Sequence, residues 1–209
     1  MITGTMIQIT NLLILLMLAL FILPISATMN ASGTTQNSDD TSDSETTQNS
    51  DETVVQQQQQ NADFENTILN IHNQERSQVQ VPALTWSGSL ASDAQGYAEY
   101  LVSLGLGPNN VPPHSDDNSQ GENIAWGPPD GYSLDGSVQM WANEKSNFQP
   151  GHVMSNDDFL PGVPMIGHYT QMVWKDTTQI GCGQAGNTDV TYLVCRYSPP
   201  GNYPGQTPY

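Results

Sequence analysis

Two histidines and two glutamates, His114, Glu122, Glu144 and His168, are the side chains whose types suit a shared chemical site. His114 and Glu122 fall in HSDDNSQGEN, Glu144 closes WANE, and His168 heads HYTQMVW. Neutral imidazoles with carboxylates form a donor set for Zn2+ or another divalent cation, which takes nitrogen and oxygen ligands in tetrahedral geometry. Spacing alone does not bring the four together. His114 reads equally as a solvated loop residue, and His168 as a satisfied residue at a strand end. Other chemistries have less behind them: no His-Glu-x-x-His helix, phosphate loop or Gly-x-Ser-x-Gly elbow occurs. His72, in HNQER, reads as a packed or capping residue, and His152 as an exposed one in a Pro/Gly loop.

The elements that must carry these residues follow from periodicity. Asp63 is a candidate cap for a helix on which Phe64, Ile68 and Ile71 recur, ending near Gln78. Ser89 is the expected cap of a second helix, with Leu90, Ala94, Tyr97, Ala98 and Leu101 on one face and Gly105 beyond its end. Residues 106–136, rich in Pro, Gly, Asn and Asp, read as ordered loop, so His114 and Glu122 are expected there. A third helix from Asp135 or Ser137 carries Val138, Trp141 and Glu144, and a Pro/Gly-rich loop follows from Gln149 to Gly167. HYTQMVW (168–174) and VTYLVCRY (190–197) have the alternation and the β-branched and aromatic content of strands. Early helices and late strands predict an α+β domain with helices covering a mainly antiparallel sheet.

The chain has 209 residues, with 21 acidic and four basic side chains, for a net charge of -17. That balance argues against nucleic acid, whose binding needs clustered Lys and Arg. Residues 12–23 form an apolar run too short to span a bilayer, followed by Pro24, Ser26 and Ala27. We read residues 1–27 as a secretory signal peptide, with an uncleaved anchor as the alternative, since no Lys or Arg precedes Arg76. Residues 28–62, with six acids, no base and a repeat of TTQNSD, are expected to be a disordered linker. Asn30 in Asn-Ala-Ser is a glycosylation acceptor in a secreted chain. Cys182 and Cys195, the only thiols, are expected to oxidise as a pair on neighbouring strands, which would stabilise the fold by about 3 kcal/mol. A redox centre or thiol zinc site fits the spacing less well.

The segments HNQERSQVQVPALTWSGSLASDAQGYA, HS with GEN, WANE, GHYTQMVWKDTTQIGCG and YLVCRYSPPGNYPGQTPY, taken in order, resemble the successive signatures of the CAP superfamily, also called the SCP domain. The likeness covers residues 63–209 and is greatest to plant pathogenesis-related proteins and to secreted fungal, yeast-type relatives. It implies a three-layer α-β-α sandwich around an acidic cleft, with His114 and His168 binding Zn2+ or another divalent ion and Glu122 and Glu144 close by. It also implies a chiefly structural role for His72, Asn73 and Arg76, and pairing of Cys182 with Cys195. Plant relatives have three disulfides, whereas this chain can form only one, so the loops at 106–136 and 149–167 must be held by packing or stay mobile.

The expected protein is a secreted or cell-wall-associated monomer that binds a sterol, fatty acid or similar lipid beside a divalent-metal site. Two alternatives stay open. One is a metal-dependent hydrolase or protease with Glu122 or Glu144 as general base. The other is a defence or signalling protein acting through an extracellular protein partner.

Overall fold

The computed structural model describes residues 45–209. The expected signal peptide, Asn30 and the first part of the linker lie outside them. Eight main elements follow in order: α1 Glu45–Gln78, β1 Thr85–Trp86, α2 Gly88–Ser103, β2 Gly121–Gly127, α3 Leu134–Asn143, α4 Gly167–Met172, β3 Gln179–Gly186 and β4 Thr191–Ser198.

Helix α1 starts well before the expected cap, so residues 45–62 are helix where a disordered linker was expected. Asp63 sits inside it, accepting a bond from Gln59 (2.8 Å), while Gln57 reaches Asn61 (3.3 Å). Carboxamide and carboxylate pairs four residues apart support a helix that buries nothing, and glutamine is a good helix former. Farther along, Ile68, His72, Glu75 and Arg76 bury one face at helical spacing. Helix α2 is capped by Ser87, two residues before the expected Ser89, through its side chain and the Leu90 amide.

The four-stranded sheet has the order β1-β3-β4-β2. Its β3–β4 and β4–β2 pairs are antiparallel and its β1–β3 pair is parallel. Alternation along β4 splits the core in two. Tyr192 and Val194 pack with Ala94, Ala98 and Leu101 of α2, while Leu193, Cys195 and Tyr197 pack with Ile68, Trp141 and Met172 from the other helices. The result is the expected three-layer α-β-α arrangement. Helix α2 lies directly on β3 because Gly181 and Gly183 have no side chains. A Cβ at either position would run into the helix backbone at Ala91 or Gln95. Cys182 and Cys195 are directly opposite across β3 and β4, with Cα atoms 4.1 Å apart, and they form the expected disulfide.

Residues 168–174 depart from expectation: most of the segment is helix α4, not a strand. Tyr169, Thr170, Gln171 and Met172 are all buried, so no polar face reveals the period of the turn. A second departure is β2, in a stretch expected to be loop. It is an edge strand paired only with β4 and contains three glycine and alanine positions that carry little strand propensity. His152, expected to be exposed, is instead part-buried against Asp158 at 2.9 Å.

The long loops are tied down without further disulfides. The Tyr192 hydroxyl donates to Leu106 O (3.2 Å) and the Tyr97 hydroxyl to Pro113 O (2.9 Å). The chain end straps the later loop through Met154 N to Gln206 O and Gly205 N to Met154 O, both 2.8 Å. In α1, Asn73 closes on Leu84, donating to its carbonyl and accepting from its amide.

Arg76 is fully buried and donates only to backbone carbonyls: Pro82 (2.6 Å), Met172 and Trp174 (both 2.9 Å) and Thr177 (2.8 Å). Burial pulls its pKa down to about 10. His72, equally buried, has its Nδ1 2.8 Å from Ile68 O and its Nε2 2.9 Å from the Tyr197 hydroxyl. That pattern fits a neutral ring with the proton on Nδ1, and burial lowers its pKa to about 4.

Two predictions follow from these side chains. Arg76→Met strands four carbonyl acceptors and should lower unfolding free energy by about 3–5 kcal/mol, read from urea midpoints. Arg76→Lys should recover only part of that, because an ammonium lacks the planar fork. An unfolded His72 takes up its proton near pH 6.5, the folded one near 4. Stability conferred by the neutral ring is therefore complete above pH 6.5 and is lost as the pH falls toward 4, by about 3 kcal/mol in all. A His72→Gln protein should show a shallower decline across that window.

Candidate functional site

The start of β2 divides the site between the two faces of the sheet. Glu122 shares its side of the strand with Ile124, which packs under α2, and Asn123 shares the opposite side with Ala125. Each face supports one histidine–glutamate pair.

On the α2 side, Glu122 Oε1 accepts from His114 Nδ1 at 2.6 Å and from the Ser115 amide at 3.1 Å. Its Oε2 lies 3.0 Å from Arg196 Nη2, an ion pair whose orientation falls short of a hydrogen bond. The Glu122 side chain is only 7% exposed, whereas that of His114 is 63% exposed. The buried carboxylate thus anchors an imidazole that projects into solvent. Glu122 is a strand residue, not the loop residue expected from its surroundings.

On the opposite side, Glu144 lies just past α3, where the chain tightens into a 3-10 turn over Glu144–Ser146. Its Oε1 accepts from His168 Nδ1 at 2.6 Å, and its Oε2 accepts the backbone amides of His168 (2.9 Å) and Tyr169 (3.1 Å). A carboxylate spanning free amides at the start of a helix is well placed electrostatically. The His168 ring stacks on Trp141, with centroids 5.9 Å apart and planes 19° apart. Asn123 Nδ2 donates both to His168 O (3.1 Å) and to the Tyr197 hydroxyl (3.0 Å), which meets His72. The core polar chain that begins in α1 therefore ends at the backbone of His168.

His114, Glu122, Asn123 and His168 line one cavity of about 790 Å³. Its other wall is apolar and comes largely from the loop before α4: Phe159, Leu160, Val163 and Met165, all exposed. Asp158 anchors that loop. Burial pushes its pKa up, but bonds from His152 and the Ser155 amide outweigh this and hold the carboxyl below its ordinary range. Glu144 is absent from the lining and acts through His168.

All four expected residues are thus brought to one region in two pairs. Among the described residues no three His, Cys, Asp or Glu side chains are grouped to hold an ion. The donor chemistry nonetheless fits a divalent metal with two protein ligands. Each imidazole turns Nδ1 toward a carboxylate, which fixes the tautomer and leaves the Nε2 lone pair to coordinate. Sequence reasoning missed Arg196, Tyr97 and Asn123. One signal was available: an arginine inside the otherwise apolar run YLVCRY, whose charge needs a compensating partner if the strand is buried.

Comparison with known proteins places the chain by sequence and fold. The model of the cysteine-rich secretory protein family, CAP, matches residues 69–197. A pathogenesis-related protein of PR-1 type from Sambucus nigra is 38% identical over 144 residues, covering 68% of this chain and 79% of that protein. Pathogenesis-related protein 1 of Arabidopsis thaliana is 35% identical over 150 residues, covering 70% and 83%. Among solved structures, that of Na-ASP-1 superposes with a TM-score of 0.59 at 26% identity over 70% of this chain, which spans 41% of that longer protein.

Proposed function

Because the chain belongs to the CAP family of cysteine-rich secretory proteins, we propose that it is an extracellular, defence-related binding protein. It takes a sterol, fatty acid or similar small lipid in the cleft beside a divalent-metal site at His114 and His168. The observation that carries this reading is the cleft's two-sided lining. A polar end with two oriented imidazoles faces a wall of Phe159, Leu160, Val163 and Met165, which suits a ligand with one polar group on an apolar body. Such exposed apolar residues are costly in a soluble chain unless something covers them.

The metal half of the proposal rests on His114 and His168, whose Nε2 atoms are the available donors. A bound divalent ion would supply a Lewis-acidic centre for the polar end of the ligand. The glutamates orient the rings. Both oxygens of Glu144 accept hydrogen bonds, and Glu122 is committed to His114, Ser115 and Arg196. Glu144 has both oxygens bonded and Glu122 is held beneath His114 by the charge of Arg196, an arrangement suited to orienting the rings, so binding accounts for it better than hydrolysis does.

Two measurements test the proposal. A radiolabelled sterol should bind the wild type saturably, and the Leu160→Asp/Met165→Asp protein at least tenfold more weakly. Absence of saturable uptake by the wild type removes the sterol reading. Calorimetric titration with zinc should give tighter binding at pH 7.5 than at 5.5, because an imidazole must be neutral to ligate and acid competes for its nitrogen. Equal affinity at the two pH values would argue against histidine ligation.

A further inference from the structure

We infer that Arg196 is the positioning residue of the His114 half of the site, holding that imidazole from two directions at once. Arg196 lies in β4 between Cys195 and Tyr197, is 4% exposed, and projects to the α2 side of the sheet. Its hydrogen bonding differs from that of Arg76, the other buried arginine. Arg76 uses its donors on backbone carbonyls, whereas the Arg196 guanidinium makes no such bond and its buried Nε has no acceptor. Among the described residues it makes an ion pair with the Glu122 carboxylate, 3.0 Å from Nη2, and lies over the face of Tyr97, whose ring centre is 5.0 Å from Cζ.

Both contacts lead to His114. Through Glu122 the route is direct, because Oε1 of that carboxylate accepts from His114 Nδ1 and the Ser115 amide. Through Tyr97 it passes along the backbone, because the phenol donates to the carbonyl of Pro113, the residue before His114. Burial pushes the Tyr97 hydroxyl's pKa up to about 12, so it remains a donor. A cation over the ring and a charge on the carboxylate thus fix the loop that carries His114 and the acceptor that orients its imidazole. The other half needs no such device: backbone amides hold Glu144, and Trp141 stacks on His168. The His114 ring, largely exposed, has no aromatic stacking partner among the described residues, and its orientation is set by the bond to Glu122.

Without Arg196 the buried Glu122 carboxylate has no countercharge and gains by turning toward water, which releases His114. The inference rests on the proposed ligand role of His114 only where zinc is used as a probe; its hydrogen-bond part stands by itself. The test compares wild type with Arg196→Met, Arg196→Lys, Tyr97→Phe and His114→Ala by imidazole 15N spectra, amide hydrogen exchange and zinc titration. In Arg196→Met, the His114 Nδ1–H signal should disappear and protection of the Ser115 amide should fall at least tenfold. The His168 Nδ1–H signal and the Tyr169 amide should stay as in wild type. Arg196→Lys, which keeps charge but not the planar stack, should fall between. Zinc affinity should drop about as far in Arg196→Met as in His114→Ala, with no further loss when the two are combined.

Unchanged His114 and Ser115 signals in folded Arg196→Met overturn the inference. So does an equal loss at His168, which would mean a general loosening. If Arg196→Met does not fold, Tyr97→Phe decides. It removes one route, and a Ser115 amide as protected as in wild type overturns the two-route arrangement. If His114→Ala binds zinc like wild type while Arg196→Met still frees Ser115, the metal reading fails and the positioning role of Arg196 stands.

Discussion

Arg76 carries a charge in a place where water cannot reach it, and among the described residues no carboxylate pairs with it. Moving a guanidinium out of water costs several kcal/mol, and here the cost is offset by charge-assisted bonds to four carbonyls. Those carbonyls are not interchangeable. Two belong to Met172 and Trp174, at and just beyond the end of α4, and one to Thr177, two residues before β3. A third element, the turn after α1, is joined through Pro82. The side chain therefore sets where α4 stops and where β3 begins relative to α1. From the start of β3 follow the alignment of Cys182 with Cys195 and of Gly181 and Gly183 with α2. From the placement of α4 follows that of His168.

The site itself depends on the pleat of one edge strand. Because Glu122 and Asn123 are neighbours in β2, they face opposite ways, one toward α2 and the other toward α1 and α3. Each then engages a different histidine: Glu122 accepts from the ring of His114, and Asn123 donates to the backbone of His168. The two halves are chemically alike, both placing a carboxylate behind Nδ1, yet mechanically different. His168 is embedded in aromatic packing and backbone amides, while His114 stands on a loop held by side chains. The cavity between them is thus lined by one imidazole fixed by packing and one whose place is set by charged side chains.

The parts of the fold legible in the sequence were those with a strong period. Helices α2 and α3 and strand β4 present one buried face against an exposed or differently packed one, and the cysteine spacing matched adjacent strands. The roles of His72, Asn73 and Arg76 were legible only through resemblance, since a buried arginine bonded to carbonyls has no local signature. Helix α4 was hidden because all its later residues are buried, which removes the amphipathic signal. Strand β2 was hidden because glycine and alanine occupy positions that neighbours fill. That second failure concealed Arg196 as well. Its partner's orientation follows from a strand that had been read as loop, so neither the ion pair nor the Tyr97 contact could be anticipated.

Trp141 lies flat against the imidazole of His168, within the distance at which a change in the ring's charge alters the indole's excited state. An optical gauge is thereby built into the cleft. A change at the histidine should therefore register in this tryptophan's emission without a dye or a label, against the background of buried Trp174 and of half-buried Trp86 and Trp126.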